Sequence, residues 1–317
     1  MKPRLLFALA AGLSAAYVTP AHAKIIRSVE NSFAARASGV IRVETEGGNI
    51  SVTPSADGFV RIIARETFRA DTDSAADAVQ RHLRLSIGQH GEEVTASAHY
   101  GAPTLGFHLG FWPPVQVDFV VTVPPGFSAE LSTSGGSVTV GDLAGPVHAH
   151  TSGGDIVLGK LDGKVDASTS GGNVSLGEGD GPVNLRTSGG QITVGRAAGP
   201  TELSTSGGNV EVEAVENTLH ASTSGGDMRA GVFGGLRGDC ELKTSGGTVR
   251  VTVDRETSFK LDASTSGGIV SADGLTITIE KGGLGRSRLA GDVNGGGPLL
   301  RLHSSGGDVV VETRRPQ

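Results

Sequence analysis

The residues of this chain best suited to chemistry are His148 and His150, two positions apart in Val147-His148-Ala149-His150. Residues two apart on a β-strand share a face, so both imidazoles point the same way. Glu130 stands 18 residues before His148, and Asp166 stands 18 residues after it. If the chain coils with that period, a carboxylate stacks on either side of the imidazole. Imidazole with carboxylate is a donor set for zinc and similar divalent cations. Glu130, His148, His150 and Asp166 therefore form the candidate metal patch. The competing expectation is a solvated charged face. In its favour, the same column runs on through Asn184, Glu202, His220, Glu241 and Asp262 as an acidic stripe.

Other motifs carry less. Gly154 to Lys160 imitates a phosphate loop, but Leu161 stands where Ser or Thr must hold magnesium, and no helix is expected to follow. Arg237-Gly238-Asp239 is a short tripeptide of the kind that recurs by chance in a glycine-rich chain. The segment Tyr100 to Pro114 gathers Phe107, Phe111 and Trp112 among glycines. It is a candidate partner-binding loop; the expectation preferred here is a hydrophobic plug over one end of the fold. No serine sits in Gly-x-Ser-x-Gly. No catalytic site and no cofactor are expected.

The elements that must position these residues are set by a repeat. Thr-Ser-Gly-Gly recurs with its serines at 134, 152, 170, 188, 206 and 224, each 18 residues after the last. Ser245 and Ser266 follow at steps of 21, and Ser305 closes the series in Ser-Ser-Gly-Gly. A short fixed period means stacked coils. Within one coil, Val165, Ala167 and Thr169 alternate with Asp166, Ser168 and Ser170; Gly171-Gly172 turns the chain; Asn173 to Leu176 forms a second strand. Val165, Ala167, Thr169, Val174 and Leu176 point inward. The glycine pair suits a corner that needs positive φ or close backbone approach. Stacking makes columns of Thr133, Thr151, Thr169 and their successors, and of Asp155, Asn173, Gln191, Asn209 and Asp227. Both read as ladders bonding coil to coil. The outward column Thr139, Val157, Ser175, Thr193, Glu211, Arg229, Arg250 is too mixed for an ice-binding face.

The fold class is thus all-β: a single-chain parallel β-solenoid of about 18-residue coils, capped by an N-terminal β-rich region with one short helix. Residues 24–128 form the cap region and 129–317 the Thr-Ser-Gly-Gly solenoid. Val40 to Thr45 with Ile50 to Val52 reads as one degenerate coil. Helical spacing of Ala76, Val79 and Leu83 places the helix within Asp73 to Leu83, capped by Asp73 or Ser74. Gly282 to Pro298 interrupts the period before a last coil, Leu299 to Glu312.

Composition bounds the location. Lys2 and Arg4 precede an apolar run from Leu5 to Tyr17 and the small-x-small site Ala21-His22-Ala23, the pattern of a signal peptide over residues 1–23. Export to the periplasm or cell surface is expected, with no transmembrane segment in the mature chain. Of 27 lysines and arginines, two lie in this leader, leaving 25 − 33 = −8 against the acidic side chains. That sign argues against nucleic acid as partner. Cys240 is the single cysteine, so no internal disulfide forms.

Val121-Thr122-Val123-Pro124-Pro125-Gly126, leading into Thr133-Ser134-Gly135-Gly136-Ser137-Val138 and on to Ser305-Gly306-Gly307-Asp308-Val309, resembles the DUF4097 family of exported bacterial candidate adhesins. The resemblance covers most of the mature chain. It implies a β-solenoid in the cell envelope and brings no catalytic residues. The expected function is a non-catalytic scaffold or adhesin-like binding protein, whose partner is an envelope protein or a surface glycan; the alternative is a carbohydrate-binding or carbohydrate-active β-helix protein.

Overall fold

The computed structural model describes residues 24–101 and 114–314. Each coil gives one strand to each of two sheets, of 13 and 14 strands, that enclose a single apolar interior. Val165–Thr169 belongs to the larger sheet and Val174–Gly179 to the smaller. Val165 pairs in parallel with Val147 on one side and Val183 on the other, in register at the repeat period. Val165, Ala167, Thr169, Val174 and Leu176 are buried, as their alternation requires. With two faces only, the interior admits one layer of side chains from each sheet, which small aliphatics fill. The Gly154-to-Lys160 segment is a corner followed by the strand Ile156–Leu161.

The corner works differently from one of its two expectations. Among the described residues, no glycine of a Thr-Ser-Gly-Gly corner has positive φ. Close approach is the requirement, and it falls on the second glycine. A Cβ on Gly172 would lie 2.1 Å from the Gly154 carbonyl oxygen of the preceding coil, whereas one on Gly171 would stand 3.4 Å from Gly153. The threonine column closes the same corner. Thr169 Oγ1 donates to the Gly154 carbonyl at 2.9 Å and accepts from the Gly172 N–H at 3.3 Å. Each inward threonine thus bonds backbone in two coils, not another threonine. The Asn/Asp column is a second ladder: the Asp155 carboxylate accepts from the Asn173 N–H at 2.7 Å, and the Asn173 side-chain oxygen accepts from the Gln191 N–H at 2.9 Å.

The order of coils in space departs from their order in sequence at both ends. The coil Val40–Thr45 with Ile50–Pro54 lies between the strands Glu93–Tyr100 with Val115–Val123 and the strands Ser128–Thr133 with Val138–Val140. At the other end, Leu299–Ser304 with Val309–Thr313 is inserted between Cys240–Thr244 with Val249–Val253 and Phe259–Thr265 with Val270–Asp273. The segment expected as the last coil is therefore the penultimate one in space. Ser304 fills the threonine column there, donating to the Gly247 carbonyl at 2.7 Å.

Antiparallel strands finish the stack. Ile25–Ala34 pairs with Phe59–Phe68, and Phe59–Phe68 with Val115–Val123, on the smaller sheet. Leu83–His90 pairs with Glu93–Tyr100 on the larger. A hairpin, Ile277–Gly285 and Arg288–Val293, covers Phe259–Thr265 at the far end; it begins five residues before the expected break at Gly282 and runs into it. The single helix among the described residues spans Asp73–Gln80. Its N-cap is Thr72, whose extended backbone lets the hydroxyl accept from the Ala75 N–H at 3.2 Å; Asp73 and Ser74 are already helical. Leu83, expected on the helix, opens a strand. Phe107, Phe111 and Trp112 lie outside the described residues.

Candidate binding face

The strand Val147–Thr151 alternates buried and exposed side chains, so Val147, Ala149 and Thr151 fill the interior while His148 and His150 stand on the outer face of the larger sheet. The parallel register sets Glu130, His148 and Asp166 in one column, and Ser132, His150 and Ser168 in the next. Stacking therefore produces the column that the period implied. Its side chains do not converge on one point. His148 Nδ1 is 3.9 Å from the Asp166 carboxylate, and His150 Nδ1 is 2.9 Å from Ser168 Oγ. Glu130 is turned away to Arg42, which donates through Nε at 2.8 Å and also meets Glu93 at 2.8 Å. Among the described residues, no group of three or more His, Cys, Asp and Glu is placed to hold a metal ion.

The acidic stripe is interrupted by cations. Arg186 pairs with Glu202 at 3.2 Å, and Lys243 with Glu241 at 2.7 Å. Arg301 stands between Glu241, at 3.6 Å, and Asp262, at 3.7 Å. The Lys243 bond holds the Glu241 carboxyl below its ordinary range, with Arg301 adding to it. Arg186 and Lys243 could be found from the repeat, one position pair along from the stripe. Arg42 and Arg301 could not, because each belongs to an intercalated coil whose place in the stack the sequence order conceals.

Three shallow depressions run along this face. One of about 270 Å³ holds Glu130, Pro146, His148, Lys164 and Asp166. The next, about 360 Å³, shares Lys164 and adds Pro182, Asn184, Pro200, Glu202 and His220. A third, about 410 Å³, shares Glu202 and His220 and reaches Lys243. The first two, joined at Lys164, make one trough parallel to the stack axis, and the third adjoins it across Glu202 and His220, set further along the strands; the whole extends on the order of 30 Å at roughly 4.8 Å per coil. Prolines give it an apolar shoulder. Asn184 donates weakly to Asp166, at 3.4 Å, while its buried Oδ1 accepts no hydrogen bond from the described residues.

The tripeptide and the single cysteine both resolve as structure. In Arg237-Gly238-Asp239, the Asp239 carboxylate accepts from the Leu299 N–H at 2.8 Å and so helps seat the inserted coil. Cys240 is buried, and burial pushes its thiol up to about 11. It is not poised as a nucleophile.

No family model and no curated protein sequence matches the chain. Solved structures do. The chain is similar to a candidate adhesin from Bacteroides fragilis NCTC 9343 at 14% identity and a TM-score of 0.37, covering 91% of this chain and 97% of that one. It is similar to a candidate lipid-binding protein from Parabacteroides distasonis ATCC 8503 at 11% identity and 0.32, covering 92% and 97%. A candidate cell adhesion protein from Clostridium sporogenes ATCC 15579 follows at 8% identity and 0.24, covering 91% and 100%. At scores this low the fold rests on the chain's own strand order and registers. No helix among the described residues is long and apolar enough to cross a membrane.

Proposed function

We propose that this chain is an exported, non-catalytic binding scaffold of the cell envelope, of the adhesin class its sequence resembles, and that the trough on the larger sheet is its ligand surface. The observation that carries this reading is the trough's continuity over several coils together with its compensated charge. Glu130, Glu202 and Glu241 each have an arginine or lysine partner within 3.2 Å, so the trough is no trap for a polyanion or a bare cation. What it offers is an apolar proline shoulder beside Lys164, Asp166, Asn184 and His220. That mixture suits an extended, uncharged polyhydroxyl chain, as in a surface glycan, with one ring advancing about one coil. Its open, shallow form excludes little water, which suits binding more than turnover.

The test is retention of native-envelope polysaccharide by the immobilised chain from Lys24 onward. Lys164→Ala with Asp166→Ala is expected to weaken retention about 30-fold, from roughly 1 kcal/mol for each of the two lost hydrogen bonds. Retention of envelope protein alone, or retention unaffected by the double change, would reject the trough. Depolymerisation of the polysaccharide that is lost in His148→Ala with His150→Ala would reject the non-catalytic reading.

A further inference from the structure

We propose that the C-terminal coil, Leu299–Ser304 with Val309–Thr313, is an exchangeable element that a second copy of this chain can accept in the same slot. The slot is unusual because both of its walls precede the occupant in sequence. Cys240 faces Leu300, and Leu300 faces Leu261; Thr244 faces Ser304, and Ser304 faces Thr265. On the other sheet Val249 and Val270 flank Val309. Backbone ladders on both sides are filled by this one segment. Without it, the two walls expose facing strand edges in both sheets, and such edges recruit strands.

The slot selects its occupant by charge as well as by backbone. Arg301 lies between Glu241 and Asp262, so withdrawal takes the shared cation from the two flanking coils and leaves Glu241 with Lys243 alone and Asp262 with Arg288 alone. Ser304 also completes the corner, donating to Gly247 and accepting from the Gly307 N–H at 2.9 Å. A second copy supplies the same arginine, the same hydroxyl and the same apolar column. It is the partner whose chemistry fits without any change.

The connection explains how exchange would start. Arg288–Val293 lies on one edge of Phe259–Thr265 and Leu299–Ser304 on the other. Residues 294–298 must therefore cross over the start of that strand. They do so through Asn294, Gly295 and Gly296 at φ 50, 94 and 84°, and Asn294 is the only non-glycine at positive φ among the described residues. The Asn294 side chain pins the crossing, donating to the Arg255 and Thr257 carbonyls at 2.9 Å each. Opening this tight crossing to an extended chain breaks the two Asn294 bonds and returns Asn294 from the left-handed region, while Gly295 and Gly296 adopt either conformation freely. Exchange through a short, constrained hinge is a low-cost route to a dimer.

Cys240, the chain's only cysteine, provides the readout. Leu300 is its direct neighbour on a parallel strand, at a Cα separation of roughly 4.8 Å, within disulfide range. Full-length Leu300→Cys is refolded under reducing conditions over a concentration series, then oxidised and run on a non-reducing gel. Exchange predicts that a disulfide-linked dimer grows with refolding concentration beside an internally linked monomer. Deleting Gly295 and Gly296 is expected to shift the balance to dimer several-fold, because the shortened connection no longer reaches back across Phe259. The unsubstituted chain, refolded in parallel and measured by light scattering on a sizing column, checks the result without the new cysteine. Internal disulfide alone at every concentration, or a monomeric unsubstituted chain throughout the series with and without the deletion, overturns the proposal.

Discussion

One hydroxyl per coil serves two backbones. Thr169 gives its proton to the Gly154 carbonyl and takes one from the Gly172 N–H, both at a corner with little access to water. Thr169→Val keeps the shape and removes both bonds. It should lower unfolding free energy by about 1–3 kcal/mol in urea titrations, the range for buried polar groups left unsatisfied. Thr169→Ser should cost much less, since Ser304 fills the same role natively. The glycines divide in the same way. Gly172→Ala drives a Cβ to 2.1 Å from a backbone oxygen that is itself fixed in a ladder. A loss of about 3 kcal/mol is expected, as for severe overpacking. Gly171→Ala meets ordinary contact distance without positive φ and should change stability by less than about 1 kcal/mol. Equal melting temperatures for the two variants would contradict the close-approach account of the corner.

The N-terminal end shows how one element is held by groups from two others. Glu66 lies in the inward row of Phe59–Phe68 and is 2% exposed. Gln80, at the end of the helix, donates to its carboxylate at 3.3 Å. Arg27, on the first strand, hydrogen-bonds Gln80, meets Asp77 at 2.7 Å and lies 5.3 Å from the Phe68 ring centre. Burial raises the Glu66 carboxyl above its ordinary value, with Arg27 opposing the rise. A carboxyl whose folded value exceeds its unfolded one favours the fold while protonated. Its contribution is full below the unfolded value and is lost as pH climbs through the folded one. Glu66→Gln should therefore stabilise the protein at neutral pH, have least effect in acid, and flatten the rise of melting temperature on mild acidification. A variant less stable than its parent at pH 7 would mean that the Arg27 pairing outweighs desolvation.

Over the whole molecule, stability should behave as a sum of coils and coil-to-coil interfaces. The central registers repeat without shift, Val147 to Val165 to Val183. Removing residues 165–182 thus brings Val183 onto Val147 and lets Thr187 donate to the Gly154 carbonyl in place of Gly172. The shortened protein is expected to keep a β-rich circular dichroism spectrum and a cooperative melt, with a smaller denaturant slope in proportion to the lost surface. A molten or helical spectrum would show that the coils are not interchangeable. The ends resist such editing, because each is built from non-consecutive segments. Antiparallel strands at both ends also close part of the edge that a bare parallel stack would leave open.

Much of this was legible in the residues themselves. A period of 18 with alternating apolar positions fixes which side chains face inward, because strand geometry is local and repeats coil after coil; Val165, Ala167 and Thr169 are placed by the sequence alone. The same period put His148 beside Asp166. Tertiary structure decided what periodicity is blind to. Thr244, Ser304 and Thr265 carry equivalent patterns, so local physics does not say which coil stacks on which, and only long-range pairing set Ser304 between the other two. With that choice came Arg301 between Glu241 and Asp262, Arg42 beside Glu130, and a face whose carboxylates are compensated rather than gathered around a metal. The corner glycines follow the same division. Their position was written in the repeat, whereas the need for the second of each pair comes from a carbonyl one coil away, an atom the local sequence does not contain.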